Sequence, residues 1–566
     1  MRLLGEPGIF TSVQASPDGK HLLVERLQRP YSFLRPYYRF PREVELWSVT
    51  GQLEEKIASV PVADRVPING VETGPRGFSW HPTAPATLIW TEALDQGDPK
   101  VNVPERDRIL MRPLGAPTTE LARLPERSAG IQWLEKGDRA LVSDYNPDKH
   151  WTRMWLVKPG EPLAQAKLLK NLSTDDRYAD PGSPMARLLP SGRYAVRQHG
   201  EFIYFEGTGA SPDGDRPFMD RMDLRTFKTE RLFRCDKEHL ESVHDWIDVA
   251  KGQFLTTRES PTEYPNRYLR TLDPKPLKDV KEGEARFTSA LKPLTAYPDP
   301  FPQLKGVTKQ RITAQRADGV PIHFTLYLPP NHKPGTRLPA VFWAYPLDYT
   351  EAANAAQVEG STKEFTFVAG TSNLFFLLEG YAVMEVSMPV VGPVATAYDT
   401  FIEQLEANAK AAIDKADAMG VIDRDRIGVG GHSHGALMTA TFMAHSELFR
   451  AGIARSGAYN HTLRPYGFQN EKRTLYEAKD TYVRLSPLIQ ADKIKKPLLL
   501  IHGEIDSNPG TVPMQSEKLF EALRGLGATA RLVMLPYEDH GYRGSESVEH
   551  VLYEMIHWFD RYVKNA

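Results

Sequence analysis

Length, composition and charge restrict what this chain can be. Its 566 residues exceed what one hydrophobic core supports, so two large domains are expected. A hydrophobic content of 41% and a net charge of -2 are ordinary for a globular protein and argue against binding to nucleic acid or to an anionic membrane. The single cysteine, Cys235, excludes an internal disulfide.

The N-terminal segment lacks the features of a targeting signal. Its first residues, "MRLLGEPGIFTSVQASPDGK", hold no apolar core of signal-peptide length, and no apolar run of membrane-spanning length occurs in the sequence. As given, the chain is therefore expected to be soluble and cytoplasmic. An exported or organellar location stays open if the N-terminus is truncated, and the oligomeric state is left open.

Residues 1–295 are predicted to form a β-propeller. Short strand-like runs alternate with polar turns, and similar phrases recur about every 50 to 65 residues, beginning at Ser16, Trp80, Trp133, Leu189 and Val249. This spacing fits long blades, each a four-stranded sheet, with five blades as a minimum. A pair of irregular β-sandwiches is the alternative.

A proline-rich segment separates this half from the next. It excludes a helix or a central strand and predicts a linker, with prolines at Pro293, Pro298, Pro300 and Pro302. Over residues 306–566, apolar strand-like runs alternate with helical periods at about 400–419 and 545–563. This alternation predicts a mostly parallel sheet covered on both faces, an α/β fold.

A serine in this second half lies between glycines at a predicted strand-to-helix junction. Residues 431–435 read Gly-His-Ser-His-Gly, a G-x-S-x-G pattern. Small neighbours permit the strained turn that exposes a nucleophile, and the helix that follows points its first amides at developing negative charge. By itself the pattern is weak, because glycine and serine are common turn residues.

A serine nucleophile needs a histidine base and a carboxylate that orients the histidine. Asp506 follows the apolar run of "PLLLIHGEID", and His540 follows the next such run, in "ARLVMLPYEDH". With Ser433, these residues stand at three strand ends in the order that this fold class uses. They predict a triad of Ser433, Asp506 and His540, with Glu504 as the rival carboxylate.

The residue after the serine is expected to help stabilise an oxyanion. In this interpretation the backbone N–H of His434 is one donor. A metal pair of His432 and His434 is disfavoured because no acidic or cysteine cluster accompanies them. The chemistry requires neither a metal nor an organic cofactor.

These residues lie in phrases that resemble the prolyl oligopeptidase family of serine peptidases, and within it the glutamyl endopeptidase branch. The phrases are "GGHSHGA", "IARSGAYNHTLRPYGFQNEKRTLYEA", "KIKKPLLLIHGEIDSNPGTVPMQS" and "LPYEDHGY", with "RPYSFLRPYYRFP" and "GTGASPDGDRPF" in the first half. The resemblance implies a propeller capping an α/β-hydrolase domain, the triad named above, and the hydroxyl of Tyr345 as second oxyanion donor. Branch members usually carry tyrosine at the position of His434 and are longer at the N-terminus, so this chain is expected to lack one or two blades.

The implied activity is hydrolysis of oligopeptides through an acyl-enzyme, by an endopeptidase that prefers glutamate at P1. Such a preference needs a cation in the specificity pocket, and the candidates are Arg464, which is favoured, Arg455 and Arg473. The expected partners are therefore peptides.

Three other functions stay open. A dipeptidyl or acylaminoacyl exopeptidase would share the triad but bind the terminus of its substrate, with Glu259 and Glu263 as candidates to bind an amine. An esterase would share the G-x-S-x-G pattern but would not need a propeller over its site. An inactive propeller that binds other proteins would not need an intact triad.

Overall fold

A computed structural model describes residues 4–32, 36–64, 66, 67 and 70–565. Residues 33–35 of the phrase at 29–41, and residues 1–3 of the N-terminal segment, lie outside this set. Among the described residues, no helix combines the length and the apolar character needed to cross a membrane.

Within the described residues, the N-terminal half forms five antiparallel sheets of four or five strands and one two-stranded ribbon, which follow one another along the chain. The first sheet contains β1 (Phe10–Ala15), β2 (His21–Leu27), β3 (Arg42–Ser48) and β4 (Leu53–Val60). The second contains β5 (Pro75–Trp80), β6 (Thr87–Ala93), β7 (Asp107–Pro113) and β8 (Thr119–Leu124). The third contains β9 (Arg127–Trp133), β10 (Ala140–Asn146), β11 (Trp151–Val157) and β12 (Lys167–Ser173).

The fourth sheet is irregular, and the fifth is a regular meander. The fourth contains β13 (Ser183–Pro184), β16 (Gln198–His199), β17 (Phe202–Gly207), β18 (Phe218–Asp223) and β19 (Thr229–Arg234), beside a ribbon of β14 (Ala186–Leu188) and β15 (Tyr194–Val196). The fifth contains β20 (Leu240–Asp248), β21 (Gln253–Ser260), β22 (Glu263–Leu272) and β23 (Ser289–Pro293). The start of the proline-rich segment is therefore an edge strand, where a missing N–H is tolerated.

Apolar side chains pack between consecutive sheets. Val44 of the first sheet and Trp90 of the second share one core cluster, and Ile109 of the second shares another with Val142 of the third. Two further clusters join the third sheet to the fourth and the fourth to the fifth. Face-to-face stacking of successive sheets is propeller packing, so the predicted propeller is confirmed and the pair of β-sandwiches is excluded.

The recurrent sequence phrases have a common place in this arrangement. The turns after Ser16, Trp80, Trp133 and Val249 connect the first two strands of the first, second, third and fifth sheets. The turn after Leu189 connects β14 to β15. Each phrase therefore marks one blade.

The C-terminal half is built on an eight-stranded sheet with the order β24-β25-β27-β26-β28-β29-β30-β31. Its strands are β24 (Thr308–Gln315), β25 (Pro321–Leu328), β26 (Leu338–Tyr349), β27 (Ala382–Val391), β28 (Ile422–His432), β29 (Ala451–Arg455), β30 (Leu498–Gly503) and β31 (Ala530–Leu535). β25 pairs antiparallel with both β24 and β27. The strands from β27 onward, in the order β27-β26-β28-β29-β30-β31, pair parallel with one another. The predicted mostly parallel sheet is confirmed.

Helices bury both faces of this sheet. They are α1 (Ala352–Ala355), α2 (Phe401–Ala418), α3 (His434–His445), α4 (Lys479–Arg484), α5 (Met514–Gly525) and α6 (Ser545–Phe559). Side chains alternate across a strand, so Phe342 packs in the core cluster that contains α2 and α3, while Val341 packs in the cluster that contains α6. Strands buried on both faces explain the continuous apolar runs of the sequence.

The propeller contacts the carboxyl edge of the sheet. Thr350 directly follows β26, and its backbone N–H and hydroxyl donate to Asp175 Oδ2 of the propeller at 3.1 and 3.2 Å. Farther along, the backbone N–H of Phe365 donates to Glu259 Oε2 at 2.7 Å. In open α/β sheets this edge carries the ligand site, so the propeller lies where it limits access to that site.

Candidate active site

Ser433 lies on a strained turn between β28 and α3. Its φ of 58° and ψ of -117° are outside the regions that residues with side chains favour, and α3 begins at the next residue. A Cβ atom on Gly431 would lie 2.4 Å from the carbonyl carbon of Gly435, and one on Gly435 would lie 2.5 Å from the carbonyl oxygen of Ala344. Both glycines are therefore required for the turn that exposes the serine.

Asp506 and His540 meet at the same edge of the sheet. Asp506 follows β30 and His540 follows β31, and because these strands are parallel neighbours their carboxyl ends are adjacent. His540 Nδ1 lies 2.8 Å from Asp506 Oδ2, the geometry of a charge-assisted hydrogen bond. An ionised carboxylate only accepts, so His540 carries its proton on Nδ1 and presents Nε2 as a base.

The carboxylate of this pair is held in its charged form. Burial alone would raise the pKa of Asp506, but hydrogen bonds from His502 and His540 outweigh burial and hold its pKa well below the usual range. The rival Glu504 has an exposed side chain. The structure therefore pairs Asp506, and not Glu504, with His540.

The His540 ring also lies beside the nucleophile turn. Its centroid is 4.8 Å from that of His432, the residue before Ser433. Burial, together with the charges of Arg455 and His540, lowers the pKa of His432 to about 3, so this ring is neutral at neutral pH. The structure therefore brings all three predicted triad residues to one end of the sheet.

Two donors flank the serine where an oxyanion would form. The N–H of His434 is in the first turn of α3, where backbone amides have no partner within the helix. The hydroxyl of Tyr345, near the carboxyl end of β26, lies close enough to the hydroxyl of Ser433 for the serine to act on the pKa of the phenol. Burial raises the pKa of Tyr345, so its hydroxyl keeps the proton that it would donate.

The side chains of His432 and His434 lie in different surroundings. His432 contacts His540 and Tyr542, whereas the buried ring of His434 packs against Tyr398 and Phe401. Because the two rings pack against different neighbours, the arrangement does not favour a metal ion shared between them.

The three candidate arginines differ in their partners. Arg455 is buried, donates to the carbonyl oxygen of Thr371 at 2.8 Å and stacks over Trp343. Arg473 forms ion pairs with Asp399 and Glu471. Both guanidinium groups therefore have structural roles.

Among the described residues Arg464, like Arg455, has no carboxylate partner, but its guanidinium makes no hydrogen bond of the kind that Arg455 makes to Thr371 and is only half-buried. Burial lowers the pKa of Arg464, and the phenols of Tyr482 and Tyr398 act in the opposite direction. The guanidinium packs against Gly510 in the loop after Asp506, since a Cβ there would lie 2.6 Å from Arg464 Cζ. Burial and the charge of Arg464 together lower the pKa of His434 to about 3. Arg464 is thus a half-buried cation near the residue that follows the serine.

Two residues that contact Asp506 were not predicted from the sequence. Thr511 Oγ1 lies 3.1 Å from both Asp506 Oδ2 and His540 Nδ1. His502 Nε2 lies 3.1 Å from Asp506 Oδ2. The sequence feature that could have indicated His502 is a histidine inside a buried apolar strand, four residues before Asp506.

Comparison with known proteins finds a family model that matches part of the C-terminal half. The sequence model described as "Prolyl oligopeptidase family" matches residues 406–566. The chain is 41% identical over 584 residues to "Probable glutamyl endopeptidase, chloroplastic" of Oryza sativa subsp. japonica, which covers 99% of this chain and 61% of that protein. It is likewise 41% identical to the protein of that name from Arabidopsis thaliana, covering 99% of this chain and 59% of the other. The chain thus spans about three fifths of the length of these curated relatives.

Solved structures share the fold over nearly the whole of this chain. An acylaminoacyl peptidase of Pyrococcus horikoshii superposes with a TM-score of 0.62 at 16% identity, covering 99% of this chain and 82% of the other. A puromycin-hydrolyzing peptidase of Mycobacterium tuberculosis superposes with a TM-score of 0.63 at 16% identity, covering 99% and 81%. At such low identity these likenesses show the fold alone: an N-terminal β-propeller and an α/β-hydrolase domain.

Proposed function

We propose that this chain, which carries a prolyl oligopeptidase family domain at residues 406–566, is a serine peptidase that cleaves oligopeptides through an acyl-enzyme. The observation that carries the proposal is the pairing of His540 with Asp506 at 2.8 Å beside the strained turn of Ser433. An esterase would not need a propeller over its site, and a protein-binding propeller would not need His540 paired with Asp506 beside Ser433.

In this mechanism Ser433 attacks the peptide carbonyl while His540 Nε2 accepts its proton. Asp506 stabilises the imidazolium that forms. The His434 N–H and the Tyr345 hydroxyl donate to the oxyanion, where charge develops. His540 then protonates the leaving amine, and a water molecule activated by the same imidazole hydrolyses the acyl-enzyme.

Replacing Tyr345 by phenylalanine should lower kcat by about 100-fold to 1,000-fold with little change in KM, because the phenol acts on the oxyanion and not on the bound substrate. Steady-state kinetics on a fluorogenic peptide measures both constants. Tyr349→Phe is the matched control, since this tyrosine is on the same strand but its hydroxyl donates to Glu359. Equal kcat losses in the two variants would contradict the oxyanion role.

We further propose that the enzyme is an endopeptidase with a preference for glutamate at P1, selected by Arg464. A half-buried guanidinium without a carboxylate partner is unfavourable unless a ligand supplies the anion. A glutamate side chain in the acyl portion of the substrate would supply it and form a charge-assisted pair. The curated relatives named glutamyl endopeptidase support this choice.

Arg464→Gln should lower kcat/KM for cleavage after glutamate by about 100-fold while changing cleavage after glutamine by less than about threefold. The measurement uses matched fluorogenic peptides with Glu, Gln, Ala or Pro at P1. Arg561→Gln, which removes an exposed cation on the C-terminal segment, is the control and should retain the wild-type ratio. Equal rates after Glu and Gln in the wild-type enzyme would reject the selector.

Exopeptidase action is the second candidate function, and the contacts of the two acidic candidates favour it less. Glu259 already accepts a hydrogen bond from the backbone N–H of Phe365, and Glu263 lies 3.5 Å from His239 Nε2. Digestion of a peptide library with mass-spectrometric readout separates the two modes. Internal cleavage after glutamate is expected, and release of terminal residues or dipeptides alone would establish the exopeptidase.

A further inference from the structure

A second histidine lies behind the carboxylate of the triad. His502 is in β30 and is completely buried. Its Nε2 lies 3.1 Å from Asp506 Oδ2 and 2.5 Å from the carbonyl oxygen of Thr511, and its Nδ1 lies 2.6 Å from Ser516 Oγ. Both ring nitrogens therefore have polar partners inside the protein.

These partners determine where the ring carries its proton. A carbonyl oxygen and an ionised carboxylate can only accept, so Nε2 of His502 must be the donor to both. In the neutral ring Nδ1 is then the acceptor, and the Ser516 hydroxyl donates to it. Ser516 belongs to α5 and is itself completely buried, which fixes this partner in place.

His502 and His540 donate to the same oxygen atom. Asp506 Oδ2 receives His540 Nδ1 at 2.8 Å and His502 Nε2 at 3.1 Å, whereas Oδ1 receives the backbone N–H of Asn508 at 3.0 Å. A carboxylate held through both oxygens cannot rotate freely. The atom that orients the catalytic base is therefore itself held by His502, together with the Thr511 hydroxyl at 3.1 Å.

We propose that His502 is a positioning residue of the triad, which holds Asp506 Oδ2 toward His540 and withdraws part of its negative charge. This inference depends on the proposed peptidase function. Without the His502 donor, Oδ2 carries more charge, so His540 binds its proton more tightly and the acid limb of the kcat/KM profile moves to higher pH. A less restrained Asp506 also lowers kcat. KM stays unchanged, because His502 is buried and does not touch substrate.

Two substitutions separate this role from simple packing. His502→Leu fills similar space without a donor, and we expect kcat to fall about 10-fold to 100-fold with an upward shift of the acid limb by about half a pH unit. His502→Gln can place an amide N–H where Nε2 lies, and should retain kcat within about threefold and an unshifted limb. Equal losses in both variants with an unshifted limb, or no loss in either, would overturn the proposal.

A measurement on the unaltered protein needs neither a substitution nor a substrate. In protein labelled with ¹⁵N at histidine, the ring nitrogen shifts of His502, assigned by their loss in His502→Gln, should show the proton on Nε2 at the pH of the assays. A proton on Nδ1 would overturn the proposal even if His502→Leu does not fold. Failure to cleave any peptide, with the Nε2 proton observed, would instead contradict the peptidase function.

Discussion

Replacing Ser433 by alanine should lower kcat for peptide cleavage by about 10⁶-fold while the protein keeps its fold. The hydroxyl oxygen is the atom that forms the acyl-enzyme, so its removal leaves His540 and the oxyanion donors without the nucleophile that they serve. Because alanine is smaller than serine, it does not worsen the crowding around Gly431 and Gly435. Progress curves on a fluorogenic peptide measure the loss of kcat. Circular dichroism and thermal unfolding show whether the variant keeps its fold.

The matched control for this variant is Ser545→Ala, which removes an exposed serine at the start of α6. It should retain wild-type kcat and KM. Peptide hydrolysis that survives in purified Ser433→Ala at more than a trace would contradict the assignment of the nucleophile.

Replacing Asp506 by asparagine should lower kcat by about 10⁴-fold. An amide can donate to His540 Nδ1, which would place the ring proton on Nε2 and leave no base for the serine. The same substitution at the rival carboxylate, Glu504→Gln, is the control and should leave kcat unchanged, since Glu504 is exposed and His540 pairs with Asp506.

Kinetics of the two amide variants side by side decide between the carboxylates. A large loss in Glu504→Gln with little change in Asp506→Asn would reverse the assignment. A large loss in both would show that the loop after β30 tolerates neither change.

The sequence predicted the fold because its periodic patterns reflect packing. Each propeller phrase lies at a turn that the sheet geometry repeats, and the apolar runs of the second half are strands covered on both faces. The pattern missed β24, because this edge strand is largely polar and has no apolar run. It assigned residues 290–306 to a linker, although residues 290–293 belong to the edge strand β23, where proline is tolerated.

For the site, sequence order predicted that Ser433, Asp506 and His540 lie together, and the structure brings them to one edge, since parallel strands carry their following loops to the same side. Residue type could not rank the three arginines. That ranking depends on partners from distant segments, such as Asp399 for Arg473 and Trp343 for Arg455. His502 was missed for the same reason, because a histidine in an apolar strand shows its role only when its neighbours are known.

The central claim is that the hydroxyl of Ser433 is activated by the imidazole of His540. Labelling the purified protein with a fluorophosphonate and locating the adduct by mass spectrometry tests it most directly. The account predicts one adduct per chain, on Ser433, which forms at a rate that His540→Ala reduces by several orders of magnitude. An adduct on another serine, or labelling of Ser433 at an undiminished rate in His540→Ala, would contradict it.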